Sequence, residues 1–341
     1  NPLAMIAFLI LIANAGPSFC QKLEFTRIPA PTGLHPGTVS GVQDPNGYMW
    51  IGTYQSALRR YDGYKYKLYT SDPQNPNSMG GNWMESLCAD SKGFIWIGTL
   101  GQGLDRLDPS TGNFVHYRFD RNDPNSISND TVRSILEDRD GMLWIGTQNG
   151  LNHFDPQTGE FKRYVHQIDD PYSLSCNRVM KVYEDRQGTI WIGTGSVWDG
   201  QGGETDEGGL NRFDKETGFY RYLHDPGNDQ SLIDNKVKAI FEDSRGTFWV
   251  GTAGDGLHTM DRVQGTFQRH LHDPSNPKKL SRPPQKRIRP HADDHITFFF
   301  DVATGYLWIG TFGNGLNRVT TTPCGNFFSV PEIVPSNSPI S

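Results

Sequence analysis

The sequence is short of cysteine: Cys20, Cys88, Cys176 and Cys324 are the four in 341 residues. Their spacing does not build a disulfide framework. Basic charge is not in excess either: 32 Lys and Arg against 38 Asp and Glu give a formal charge of −6. That balance argues against a nucleic-acid partner, which calls for a basic footprint. Long apolar runs are lacking apart from Leu3–Ala15, and that run is too short for a bilayer, which needs about 20 residues. It has the form of a signal-peptide core, with Ser18 and Cys20 as small residues before a cleavage point at Gln21. Residues 1–20 are therefore expected to be a signal peptide, which makes the chain periplasmic or secreted. No Gly-Lys-Ser/Thr phosphate loop, Gly-x-Ser-x-Gly elbow or long amphipathic helix is present. No cofactor is expected.

What the chain has is a repeat. Trp50, Trp96, Trp144, Trp191, Trp249 and Trp308 each open a Trp-Ile/Val-Gly-Thr box, at intervals of 46, 48, 47, 58 and 59 residues. A period near 40–50 is that of a propeller blade. Around each box lie the other parts of one unit. An apolar strand precedes a hairpin of the form Asp138-Arg-Asp-Gly141. Asp bonds its own turn backbone, and Gly accepts the positive φ of a tight hairpin. After the box come a third strand (Leu210–Asp214), a second hairpin and an aromatic fourth strand (Phe219–Tyr222). The expected fold is all-β: a propeller of six four-stranded antiparallel blades over residues 21–330, or a seven-bladed ring short of one blade. The blades fall at about 38–70, 84–119, 131–166, 178–223, 236–272 and 294–330, with 331–341 a tail or continuation, and 23–28 reads as a lone outer strand. The box glycine, two residues after each Trp, is expected to leave room for the neighbouring blade's indole.

The Trp-Ile-Gly-Thr boxes, the Gly-Leu-Asn-Arg-Phe-Asp step at 209–214 and the linkers ending Ser126-Ile127, Ser173-Leu174 and Ser231-Leu232 resemble the two-component-regulator propeller repeat. That family forms the periplasmic sensing region of bacterial hybrid histidine kinases. The resemblance covers about residues 23–330. It implies an extracytoplasmic ligand-sensing propeller responding to oligosaccharides, as the input part of a two-component signalling protein. It also implies partners beyond this chain: a second propeller or a kinase-bearing segment, which would be its only route to a membrane. The implied ligand is an oligosaccharide or another small molecule. The competing readings are a secreted lyase or glycoside hydrolase, with carboxylates at the central opening, and a protein-docking scaffold.

The face carrying the blade-to-blade links and the turns after the Trp strands holds both large insertions, at about 195–208 and 273–293. Per-repeat insertions tend to gather on a binding face. Trp198 sits in the first insertion and could stack on a sugar ring; the second is basic, from Lys278 to Arg289. Counting back eight from the hairpin Asp gives a uniformly short, polar set: Asn82, Asp130, Asn177, Asn235 and Asp293. Capping explains that set. The next position varies, holding Trp83, Thr131, Arg178, Lys236 and Asp294. Those five, with Trp198, are the ligand-binding candidates. His291-Ala-Asp-Asp-His295 lacks the helical His spacing of a zinc protease, and no metal or catalytic residue is assigned.

Overall fold

The computed structural model describes residues 38–53, 57–195, 208–253, 256–271, 296–302, 306–311, 315–320 and 326–329. The expected signal peptide, the strand at 23–28, most of both insertions and the tail lie outside them. The described residues form six four-stranded antiparallel sheets, each with its strands bonded in chain order. Blade 1 is β1 (Thr38–Gln43), β2 (Met49–Thr53), β3 (Leu58–Tyr61) and β4 (Tyr66–Tyr69). Blade 2 is β5 (Met84–Ala89), β6 (Ile95–Thr99), β7 (Leu104–Leu107) and β8 (Phe114–Tyr117). Blade 3 is β9 (Val132–Glu137), β10 (Leu143–Thr147), β11 (Gly150–Phe154) and β12 (Phe161–Tyr164). Blade 4 is β13 (Val179–Glu184), β14 (Ile190–Thr194), β15 (Gly209–Asp214) and β16 (Gly218–Tyr222). Blade 5 is β17 (Val237–Glu242), β18 (Phe248–Thr252), β19 (Leu257–Asp261) and β20 (Thr266–His270). Blade 6 is β21 (Ile296–Val302), β22 (Tyr306–Thr311), β23 (Gly315–Thr320) and β24 (Asn326–Ser329). The first strands β1, β5, β9, β13, β17 and β21 pack on one another in that order, which makes them the inner strands of a propeller.

The second strands of blades 2 to 5 are sandwiched between blades, and β6, β10, β14 and β18 are buried at all five positions. Burial on both faces removes the polar alternation of a half-exposed strand. The indoles of Trp50, Trp96, Trp144, Trp191 and Trp249 are at most 4% exposed. Each packs into the following blade: Trp96 meets Leu143 and Ile145, and Trp249 meets Leu307 and Ile309. The ends of the series are less covered, with Met49 39% exposed and Trp308 half-buried.

The hairpin Asp does more than cap its turn. In blades 1 to 5, Oδ2 of Asp44, Asp90, Asp138, Asp185 and Asp243 accepts the indole N–H of the Trp six residues on, at 2.8–2.9 Å. Oδ1 accepts backbone N–H groups of the turn, such as Asp140 and Met142 for Asp138. One carboxylate thus fixes the hairpin and satisfies the only polar atom of a buried indole. In blade 6, Trp308 faces Phe300, so the residue six before the indole is Val302, which has no acceptor. The Asp301 from which Asp293 and Asp294 were counted is therefore one place out of register, and the count from Val302 puts Asp294 in the uniform set and His295 in the variable one.

The box glycine has a different neighbour from the indole expected. A Cβ on Gly146 would lie 2.5 Å from Val179 Cγ1, and one on Gly193 would lie 2.7 Å from the Val237 carbonyl oxygen and 2.8 Å from Val237 Cγ1. The glycine makes room for the first residue of the next blade's inner strand, because that strand and the Trp strand meet backbone to backbone. Gly193→Ala is expected to lower stability by roughly 2–3 kcal/mol, since the backbone carbonyl cannot rotate away. Gly63→Ala, in an open turn with nothing within 4 Å, is expected to cost less, through its positive φ alone. Urea unfolding of the two variants checks the order.

The Ser-x links also have a structural cause. Ser126, Ser173 and Ser231 Oγ bond the backbone of their own loop. Arg163, Arg221 and Arg269 of the fourth strands donate to the same loops. The apolar residue that follows each serine, Ile127, Leu174 or Leu232, is wholly buried. A polar link is thus pinned by its serine and plugged by the next residue.

Candidate functional site at the link face

The uniform polar set caps the outer strands. Oδ1 of Asn82, Asp130, Asn177 and Asn235 accepts the N–H of Ser71, Phe119, His166 and His224 respectively, at 2.6–3.2 Å. That is the role the sequence assigns to it. The variable position beside it has a backbone role that no side chain enters. The carbonyls of Trp83, Thr131, Arg178 and Lys236 accept the N–H of Leu100, Gln148, Gly195 and Ala253, each just after a box, at 2.8–3.0 Å. The same main-chain bond is thus made with four unlike side chains. Trp83 is 44% exposed, and Lys236 Nζ lies 4.0 Å from Asp234 Oδ2. Asp294 and Trp198 lie outside the described residues.

A second ring of variable side chains escaped the sequence reading. In every blade the inner strand carries a bulge after its first residue, so Val39, Glu85, Arg133, Met180, Lys238 and Thr297 have no partner in the ladder. A bulge re-aims the side chain it carries. Arg133 Nη1 donates to Glu85 Oε2 at 3.2 Å across the blade boundary, and Nη2 reaches Gln148 Oε1 at 3.5 Å. Burial, with help from Arg133, brings the Lys238 amine down to about 8, and Glu85 opposes the shift. These residues come from blades 2, 3 and 5 and act on one another, so they converge on the axis. Burial holds the Lys181 amine below its ordinary range, with Cys88 of blade 2 acting against the shift. Burial pushes the Cys88 thiol up to about 11, so it is no nucleophile at neutral pH. The signal in the sequence was a charged residue second in the inner strands of blades 2, 3 and 5.

Between blades 3 and 4 the link face opens into a cavity of about 430 Å³. Its lining is Asn129, Gln148, Asn149, His166, Ser175, Cys176, Asn177 and Arg178. Of the described variable candidates only Arg178 lines it; Trp83, Thr131 and Lys236 occupy the matching places in their own blades. Asp130, a carboxylate at an inner-strand entrance, spends an oxygen on the Phe119 N–H. Among the described residues no three His, Cys, Asp or Glu side chains are grouped to hold a metal ion.

The family profile described as two component regulator propeller matches residues 78–101, 126–149, 173–196 and 231–254. Each matched segment runs from the pinned link through the inner strand to just past the box of blades 2 to 5. Four blades of this chain carry two-component regulator propeller repeats. The segment is the smallest piece that holds the link plug, the bulge, the Asp–Trp pair and the box together. No curated protein matches the chain. Among solved structures it is similar to the extracellular domain of a hybrid two component system from B. thetaiotaomicron, at 22% identity and TM-score 0.66. That match covers 87% of this chain and 35% of the other, so the chain spans about a third of that protein's length. Virginiamycin B lyase from Staphylococcus aureus aligns at 14% identity and TM-score 0.59, over 88% of this chain and 87% of the lyase. PorZ, a type-IX secretion component of Porphyromonas gingivalis, aligns at 15% identity and TM-score 0.57, over 82% and 39%. At these identities the likeness is one of fold, and a shared propeller carries no shared chemistry.

Proposed function

We propose that this regulator-repeat propeller is the extracytoplasmic input of a two-component signalling protein and binds an oligosaccharide or similar polar ligand on its link face. The observation that carries the reading is the pairing of a fixed backbone with unlike side chains. At the inner-strand entrance four blades make the same main-chain bond through four unrelated residues, Trp83, Thr131, Arg178 and Lys236. Repeats held alike by the fold and differing only where they ring an opening are suited to recognition. Signalling would follow from a shift between docked arrangements of this propeller and its neighbours. That shift needs a ligand with unequal affinity for the two arrangements.

Calorimetric binding and product analysis on a panel of plant and algal oligosaccharides test the reading together. The expected result is saturable binding without turnover. Trp83→Ala should weaken it by about tenfold, the scale of one lost stacking surface. Turnover that disappears in Asp130→Asn would favour the enzyme, and binding untouched by every entrance substitution would move the site elsewhere.

A further inference from the structure

The cavity between blades 3 and 4 is rich in donors, and among the described residues no carboxylate lines it. Its amides are oriented by the fold. Asn129 Oδ1 accepts the Thr131 N–H at 2.8 Å and Asn177 Oδ1 accepts the His166 N–H at 2.6 Å. With each oxygen committed, the NH₂ group is what each side chain offers to the cavity. The ring of His166 is also committed on one side, with Nδ1 2.6 Å from the Leu174 carbonyl oxygen. Gln148 Oε1 is turned towards Arg133. Arg178 adds a permanent positive charge.

The fold does not require amides at these places. In blade 5 the counterpart of Asn129 is Asp234, whose Oδ1 accepts the Lys236 N–H at 2.6 Å in the same way. At the entrance to blade 3 the counterpart of Asn177 is Asp130, which caps Phe119 as Asn177 caps His166. Each turn is built with a carboxylate at one other place in the ring, Asp234 and Asp130, while Asn82 and Asn235 keep the amide; here both are neutral donors beside an arginine. Amides where the repeat accepts acids, plus a guanidinium, make a site matched to an anion.

We propose that this cavity is an acid-group subsite, so that the ligand of the link face is an acidic sugar whose carboxylate sits against Arg178, Asn177 and Asn129. The inference rests on the binding role proposed above and narrows its ligand class. Charge-assisted bonds to a planar guanidinium favour a carboxylate over a neutral hydroxyl.

The test is calorimetry on the whole chain with digalacturonate, neutral digalactose and inorganic sulfate, each at low and high salt. Digalacturonate is expected to bind at least ten times more tightly than digalactose, and to weaken with salt as an ion pair does. Asn177→Asp is the decisive variant. It keeps the oxygen that caps His166 and replaces the donor by a negative charge, so the fold should stand and digalacturonate affinity should fall roughly 10- to 100-fold. Arg178→Gln should fall by a similar factor, with Asn82→Asp as a control that changes the same kind of cap in blade 2 without effect. Thermal melts show whether each variant is folded. Sulfate binding as tightly as the diuronate would identify a general anion site and overturn the sugar-acid assignment. Digalactose bound as well as digalacturonate would overturn the acid subsite while leaving the binding module in place. No response to any of the three ligands, or an Asn177→Asp variant that binds normally, would overturn it as well.

Discussion

Asp185→Ala is expected to be the most damaging single substitution at a hairpin, lowering stability by roughly 3–5 kcal/mol. Its carboxylate is at the centre of four groups. Oδ2 accepts the Trp191 indole N–H at 2.9 Å and Arg262 Nη1 at 2.8 Å, and Oδ1 accepts the N–H of Gln187 and Thr189. Arg139 of blade 3 donates to the Asp185 backbone carbonyl. Arg262 goes on to Glu242, so the cluster joins blade 4 to blade 5. Removal strands a buried indole N–H and leaves the guanidinium with one carboxylate in place of two. Asp138→Ala is the natural comparison, because His153 stands 3.8 Å from that carboxylate where Asp185 has its arginine. Burial holds His153 below its ordinary range, which leaves it neutral. The loss there should be smaller, roughly 1–3 kcal/mol. Urea unfolding of both variants decides the order, and equal losses would mean that the Arg262 link contributes nothing.

The same cluster gives a pH dependence. Burial raises the Asp185 carboxyl, but the Trp191 N–H, the Thr189 N–H and Arg262 together outweigh it and hold the carboxyl below its ordinary value. A carboxyl depressed in the folded state stabilises above its unfolded value near 4, and that contribution is lost as pH falls through the folded value. The wild type should therefore lose stability as pH falls through the acid range, and Asp185→Ala should lose less over the same range.

His258→Asn is expected to remove a different acid penalty, one of about 3 kcal/mol between pH 6.5 and pH 4. His258 is wholly buried at the second position of β19, the place that Asn152 and Asn211 hold in blades 3 and 4. Asn152 and Asn211 accept the link N–H of Ser128 and Ser175, and donate to the carbonyls of Ile145 and Ile192. His258 does the same with its ring: Nε2 accepts the Ile233 N–H, and Nδ1 faces the Val250 carbonyl. Both nitrogens are then spent on a neutral tautomer. Burial brings the ring down to about 4, the Val250 carbonyl working against the shift. The unfolded chain takes up a proton near 6.5 that the folded chain refuses until about 4, so stability is full above 6.5 and declines below it. Asparagine satisfies the same two groups without titrating. Stability curves at pH 7 and pH 4.5 should converge in the variant and diverge in the wild type; a wild-type curve that is flat across this window would refute the assignment.

The sequence carried the architecture because a propeller is written once per blade. A Trp every 46 to 59 residues, a hairpin Asp before it and a Gly-Thr after it are enough to place 24 strands, since each blade repeats one local solution. The capping role of Asn82, Asp130, Asn177 and Asn235 was legible for the same reason. Three things were not. The Asp–Trp bond joins side chains six residues apart across a hairpin, so only the turn geometry brings them together. The box glycine touches the next blade's inner strand, and that contact belongs to how sheets stack. Blade 6 looked in register through Asp301, whereas the pairing of Phe300 with Trp308 places Val302 at the acceptor position.

The sequence by itself determined the repeat, its period and the residues that build each blade, because those are local and recur. Tertiary structure alone decided which variable side chains meet: the bulges that turn Glu85, Arg133 and Lys238 towards one axis, and the cavity where Asn129, Asn177 and Arg178 face each other across two blades. A site shared between repeats depends on how neighbouring sheets are rotated and spaced, and no single repeat encodes that relation.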